Sequence, residues 1–199
     1  MKKIILVLIS IGALVACDEI KGVLSTTEVV TLKSTKNKQV DVAPGQHEVE
    51  ISVNEKQRYI EVDFDRVNGF ELVARFHFDE ATTIPHENGD FFIDAGVSGQ
   101  SVHLDGQVRT KVERSDLHHG WEDCQDDGFG GGCYIDRNGR QHCDSRWGSR
   151  EVEYYIISTT RTLDVTLVSP ATHESLGHLA AKAVGTKKDY VYKGFCRSF

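Results

Sequence analysis

Apolar and polar residues alternate with a period of two along most of this chain. Val49, Ile51 and Val53 alternate with Glu48, Glu50 and Ser52, and Ile60, Val62 and Phe64 with Glu61, Asp63 and Asp65. Phe70, Leu72, Ala74, Phe76 and Phe78 alternate with Glu71, Arg75 and His77. The pattern returns from Val102 to Val112, from Val152 to Ile156, and at Leu163, Val165 and Leu167. Such alternation buries one face of a strand and wets the other, as in antiparallel sheets. Pro44-Gly45, Asn68-Gly69, Asn88-Gly89 and Asn138-Gly139 supply turns between the runs. Many short strands joined this way predict an all-β fold, an antiparallel β-sandwich forming a single domain over residues 26–199. His77 and His103 alternate with apolar residues, which predicts surface positions for both. Residues 176–184 conflict with the pattern, because Leu176, Leu179, Ala180, Ala183 and Val184 fall at helical spacing. Gly177 and Gly185 bracket that stretch, and Pro170 to Glu174 suits a hairpin loop after a strand ending at Ser169, so a returning strand is favoured.

The amino terminus has the order of an export signal. Lys2 and Lys3 precede an apolar run from Ile4 to Ala13, and Leu14-Val15-Ala16-Cys17 follows. The run is too short for a bilayer core, which needs roughly 20 apolar residues. Leu14-Val15-Ala16-Cys17 resembles the lipobox of bacterial lipoproteins. The resemblance covers only residues 1–17 and implies a signal peptide over 1–16, a diacylglyceryl thioether on Cys17 and an acylated new amino terminus. Residues 17–25 then read as the lipidated cysteine and a short tether. A protein with two or three acyl chains is held by the membrane, since each buried methylene contributes about 0.8 kcal/mol. The implied address is the bacterial cell envelope, facing the periplasm. Asp18 after the cysteine resembles the inner-membrane retention signal of enterobacterial lipoproteins, with the outer membrane as the alternative.

Removing Lys2 and Lys3 from 23 cations set against 30 acids takes the net charge from −7 to −9. That balance argues against nucleic acid as a partner and against a polybasic grip on anionic lipid. With Cys17 taken by lipid, Cys124, Cys133, Cys143 and Cys196 remain. An even number in an exported chain points to two disulfides. Residues 115–150, which hold three of these cysteines and the run Gly128-Phe129-Gly130-Gly131-Gly132, read as a Cys/Gly-rich insertion stapled by them. The glycine run ends in Cys133-Tyr134-Ile135, with no lysine and hydroxyl to complete a phosphate loop. A three-residue turn over Arg137-Asn138-Gly139 places Asp136 opposite Arg140 and Cys133 opposite Cys143. The favoured pairing is therefore Cys133–Cys143, leaving Cys124–Cys196 to close the insertion onto the carboxyl end.

Asp123 as the first ligand of a calcium loop puts Tyr134 at the twelfth position, where a glutamate is required. Asp123, Asp127, Asp136 and His142 remain the candidate ligands for a divalent cation or small molecule at the insertion. The acidic loop from Asp79 through Glu87, Asn88, Asp90 and Asp94 reads first as solvated turns. No Cys-x-x-Cys pair supports zinc, and His47-Glu48, His86-Glu87 and His173-Glu174 each lack a second histidine. His118, His119 and His142 form the one histidine group that a tightly folded insertion brings together. No Gly-x-Ser-x-Gly elbow appears. The expectation is a lipid-anchored envelope protein that binds a partner or serves a structural role, without a cofactor or a catalytic residue. Cation or small-ligand binding at the insertion and an envelope hydrolase are the alternatives.

Overall fold

The computed structural model describes residues 20–67, 70–126, 133–135, 137, 141–143 and 146–198. Its elements run β1 (Ile20–Thr26), β2 (Val30–Lys33), β3 (Gln39–Val42), β4 (Gly45–Asn54), β5 (Tyr59–Val67), β6 (Phe70–His77), β7 (Gly89–Ile93) and α1 (Ala95–Ser98). They continue with β8 (His103–Arg114), β9 (His118–Asp126), β10 (Cys133–Ile135), β11 (Gln141–Cys143), β12 (Arg146–Val168), β13 (Ser175–Lys193) and β14 (Arg197–Ser198). The chain divides into two units. The first ends at Val108 and resumes over Leu163–Lys182, and the second comprises Arg109–Thr162 and Ala183–Phe199.

In the first unit the alternating runs become antiparallel strands in the order β6-β5-β4-β1-β13-β12-β8-β7. All-β antiparallel architecture is as expected, but the strands make one continuous sheet curled into a half-barrel rather than two stacked sheets. Alternation dictates which face is buried and not what covers it. Here the sheet bends around its own inner face, helped by a β-bulge between Phe64 and Val67. Leu24, Ile51, Ile60, Phe64, Leu72 and Leu104 on that face are each at most 2% exposed. The β2–β3 hairpin adds Val30, Leu32 and Val42 to the same core. Gln100 ties the hairpin to β6, accepting from Lys33 N–H at 2.7 Å and donating to the carbonyls of Lys33 and Arg75 at 2.9 and 2.8 Å. A cavity of about 10 Å³, lined by Leu32, Phe64, Phe76 and Leu179 among others, holds at most a water.

Three expectations need correction. Residues 20–25 are strand, not tether: β1 lies between β4 and β13, with Leu24 and Thr26 buried. Its inward set is Ile20, Gly22, Leu24 and Thr26, and two non-apolar members hide the period. Gly22 is needed there, since a Cβ would stand 2.7 Å from the Ala180 carbonyl oxygen and from Ala181 Cβ. His77 is exposed as expected, but His103 is buried. Its ring lies 5.3 Å from that of Phe92 and 6.4 Å from that of His173, and its Nδ1 accepts from Ala95 N–H at 3.0 Å, next to the Asp94 side chain that caps α1. Residues 26–199 also do not form one unit, because the second begins at Arg109 and shares β8, β12 and β13 with the first.

Residues 176–184 are strand, as favoured. Gly177, Leu179 and Ala181 are buried at period two, while Val184 is 61% exposed. The loop before them closes through Ser169 N–H to Glu174 O at 2.9 Å, with His173 at φ 58°.

On β8, Gly106 lies opposite Phe91 of β7, and the Phe91 ring covers the spot where a Cβ would stand. Gly106→Val is therefore expected to displace a buried ring and destabilise the first unit by about 1–3 kcal/mol. Thermal melts by circular dichroism check this. Adding Phe91→Ala should make the Gly106→Val change nearly neutral, and a full additive loss would show that the ring is not the cause.

Candidate functional site

The second unit is a ribbon built on β12. Strand β9 pairs with β12 from Arg146↔Asp126 to Tyr154↔His118, and β14 pairs with it at Gly148 and Ser149. Arg150, Val152 and Tyr154 share one face by alternation, together with His118, Gly120, Glu122 and Cys124 of β9. This register puts Glu122 directly opposite Arg150. Arg150 donates from Nε at 2.9 Å and from Nη2 at 2.5 Å to Glu122 Oε1, while the Tyr190 hydroxyl of β13 donates at 2.6 Å to Oε2. One carboxylate thus joins β9, β12 and β13.

Aromatic rings surround this carboxylate. Tyr154 stacks on His118 at 5.5 Å between centroids and meets Tyr190 at 5.8 Å. Lys188 Nζ sits 4.4 Å above the Tyr154 ring, and Lys193 Nζ sits 3.7 Å above Tyr190. On the opposite face His119 reaches Glu153 at 3.1 Å, and Arg114 lies over Tyr155 at 3.4 Å. The Cys124–Cys196 disulfide, with Cα atoms 5.8 Å apart, closes the ribbon. Gly148 is opposite Cys124 on one side and Ser198 on the other, so β12 carries no side chain where the bridge lies close.

Glu122 is half-buried, and both its oxygens are engaged. Donation from Tyr190, then the Arg150 hydrogen bonds and charge, hold its carboxyl below the ordinary value of 4.5 against the opposing effect of burial. Acceptance by Glu122 correspondingly raises Tyr190 above its ordinary value of 10.0. A carboxylate that accepts three hydrogen bonds keeps its charge, and both its oxygens are held within the ribbon. The cluster is suited to holding the ribbon in shape rather than to acid–base catalysis. Because folding lowers the Glu122 pKa, its contribution to stability is full above 4.5 and is lost as pH falls through the folded value. Glu122→Gln is expected to destabilise the ribbon at neutral pH and to flatten the loss of stability below the ordinary value. Tryptophan fluorescence reads the ribbon alone, since Trp121 and Trp147 are the chain's two tryptophans. Parallel pH profiles for variant and parent would refute this role for Glu122.

Of the candidate ligands Asp123, Asp127, Asp136 and His142, the structure describes the side chain of Asp123 alone. Asp123 is exposed within β9 opposite Ser149, in extended backbone rather than a loop. Asp127 and Asp136 lie outside the described residues, as does Cys17. His142 is opposite Tyr134 in the β10–β11 backbone, but its side chain is outside the description. His118 and His119 point to opposite faces of β9, toward Tyr154 and Glu153, so they do not converge as a histidine group. Among the described residues no three His, Cys, Asp or Glu side chains meet at a distance that holds a metal ion. In the acidic loop Asp79 caps its own turn, accepting from Ala81 N–H, Thr82 N–H and the Thr82 hydroxyl, and Asp94 caps α1. The β10–β11 register does place Cys133 opposite Cys143. Glu122, Arg150, Tyr154, Tyr190, Lys188 and Lys193 escaped the sequence reading. The chain matches no protein-family model and no curated protein.

Proposed function

We propose that the protein is a lipid-anchored module of the bacterial cell envelope that works by binding another envelope protein through the ribbon of its second unit. The observation that carries this reading is the concentration of exposed apolar and aromatic side chains on that ribbon. Trp121 is 62% exposed, Val191 58%, Tyr192 48% and Phe195 96%. Large aromatic side chains of this kind contribute most of the energy in protein interfaces. The Cys124–Cys196 disulfide fits an oxidising compartment, and the Leu14-Val15-Ala16-Cys17 stretch supports the tether by resemblance. Asp18 favours the inner membrane.

The test places a photo-crosslinking amino acid in living cells at Trp121 or Tyr192 and, as a control, at exposed Val29 of the first unit. A discrete adduct from the ribbon positions and none from Val29 is expected. Equal labelling from all three, or none from the ribbon, would refute the proposed contact surface. Radiolabelled palmitate tests the tether, with incorporation expected in the parent chain and absent in Cys17→Ala.

A further inference from the structure

Strand β9 is an edge of the ribbon. Among the described residues it pairs with β12 alone, from Arg146↔Asp126 to Tyr154↔His118 without a bulge. Edge strands commonly carry a lysine or proline that keeps a further strand away. Strand β9 has neither between His118 and Asp126. The Gly194 N–H donates to the Glu151 carbonyl at 2.8 Å, so Glu151 directs its backbone groups away from β9. Trp121, opposite Glu151, is then a non-hydrogen-bonded position whose own N–H and C=O point outward. By alternation the same holds for His119, Asp123 and Gln125. The Trp121 side chain, 62% exposed, stands at the middle of this row.

We infer that β9 pairs antiparallel with β9 of a second copy of this chain, about a two-fold axis at Trp121. The inference rests on the ribbon being a contact surface and gives its Trp121 to that second copy. Self-complementarity of the strand selects this occupant. The axis sets Trp121 against its own copy, an aromatic cross-strand pair, and sets His119 opposite Asp123 on either side of it and on the same face. The outward N–H and C=O groups of all three positions are then satisfied reciprocally. Neighbouring registers fit less well. An axis at Glu122 opposes that carboxylate to itself, and one at Gly120 sets Asp123 against Leu117. Gly120 is a second, independent observation. A Cβ there would meet nothing within 4 Å in its own chain, although glycine weakens a strand interior and marks places where another backbone comes close. In the pair it lies opposite Glu122 of the second copy, and its missing side chain leaves room for the Glu122–Arg150 contact.

Sedimentation equilibrium of the full protein in density-matched detergent tests the inference. A reversible monomer–dimer equilibrium is expected, weakened at least tenfold by Asp123→Pro. That N–H serves only the second copy, so its loss spares the β9–β12 pairing and counts twice across the axis. Far-ultraviolet circular dichroism should show the variant folded. Should it fail to fold, Asp123→Lys at an exposed position must by itself weaken the dimer several-fold. A chain monomeric at every concentration reached, or a dimer that neither variant weakens, would overturn the inference. So would equal weakening by Val191→Lys, which would mean unspecific apolar association. A monomeric chain whose Trp121 and Tyr192 still capture another protein in cells would end the inference and leave the wider reading of the ribbon standing. A dimer weakened by the β9 variants supports the inference even where Tyr192 captures nothing, which is the failure of the wider reading.

Discussion

Replacing Cys124 with serine is expected to unfold the second unit while the first stays folded. The bridge spans 72 residues of sequence, and closing a loop of that length stabilises by roughly 4 kcal/mol through the entropy it removes from the unfolded chain. The second unit has little else to replace it. Among its described residues only Cys124, Gly148 and Val152 are buried, and the Glu122–Arg150–Tyr190 network is partly open to solvent. The first unit keeps its inner face whatever the redox state. Tryptophan emission should change in Cys124→Ser or on reduction, and trypsin should cut within residues 109–162. Unchanged emission and cleavage would show that the ribbon is held by its strand pairing alone.

The largest effect in the first unit is expected from Phe64→Ala. Phe64 is 1% exposed, lies opposite Val49 and Leu72 and marks the start of the bulge that bends β5. Removing a buried phenyl ring loses its transfer energy and leaves a cavity, a cost of about 3–5 kcal/mol. Denaturant titration followed by far-ultraviolet circular dichroism checks this, and Phe64→Leu, which refills much of the space, should lose markedly less. Equal losses from the two variants would mean that ring shape rather than buried volume matters at this position.

The inner faces of β4, β5 and β6 were legible in the sequence because each is written in large apolar residues two apart. Strand β1 was not, since Gly22 and Thr26 occupy inward positions without looking apolar. The difference between a sandwich and a curled sheet was also hidden, because Ile51 or Phe64 reads the same whether a second sheet or the same sheet covers it. The Cys133–Cys143 register was legible from turn chemistry ten residues wide, and Cys124–Cys196 followed from the cysteines left over. The network at Glu122 was not legible. Its partners Arg150 and Tyr190 stand 28 and 68 residues away, and only the register of β9 on β12 and the return of β13 bring them together. His103 looked like a surface residue because its strand position is outward, and Phe92 and His173 then cover it.

Intact mass spectrometry of the protein extracted from the membrane fraction, alkylated while denatured and without reductant, tests the anchored and oxidised account most directly. The expected product is a chain that begins at Cys17, carries acyl groups there and takes up no alkylating agent, with Cys133–Cys143 as well as Cys124–Cys196 closed. A chain that retains residues 1–16 without lipid, or that gains alkyl groups on its cysteines, would contradict it.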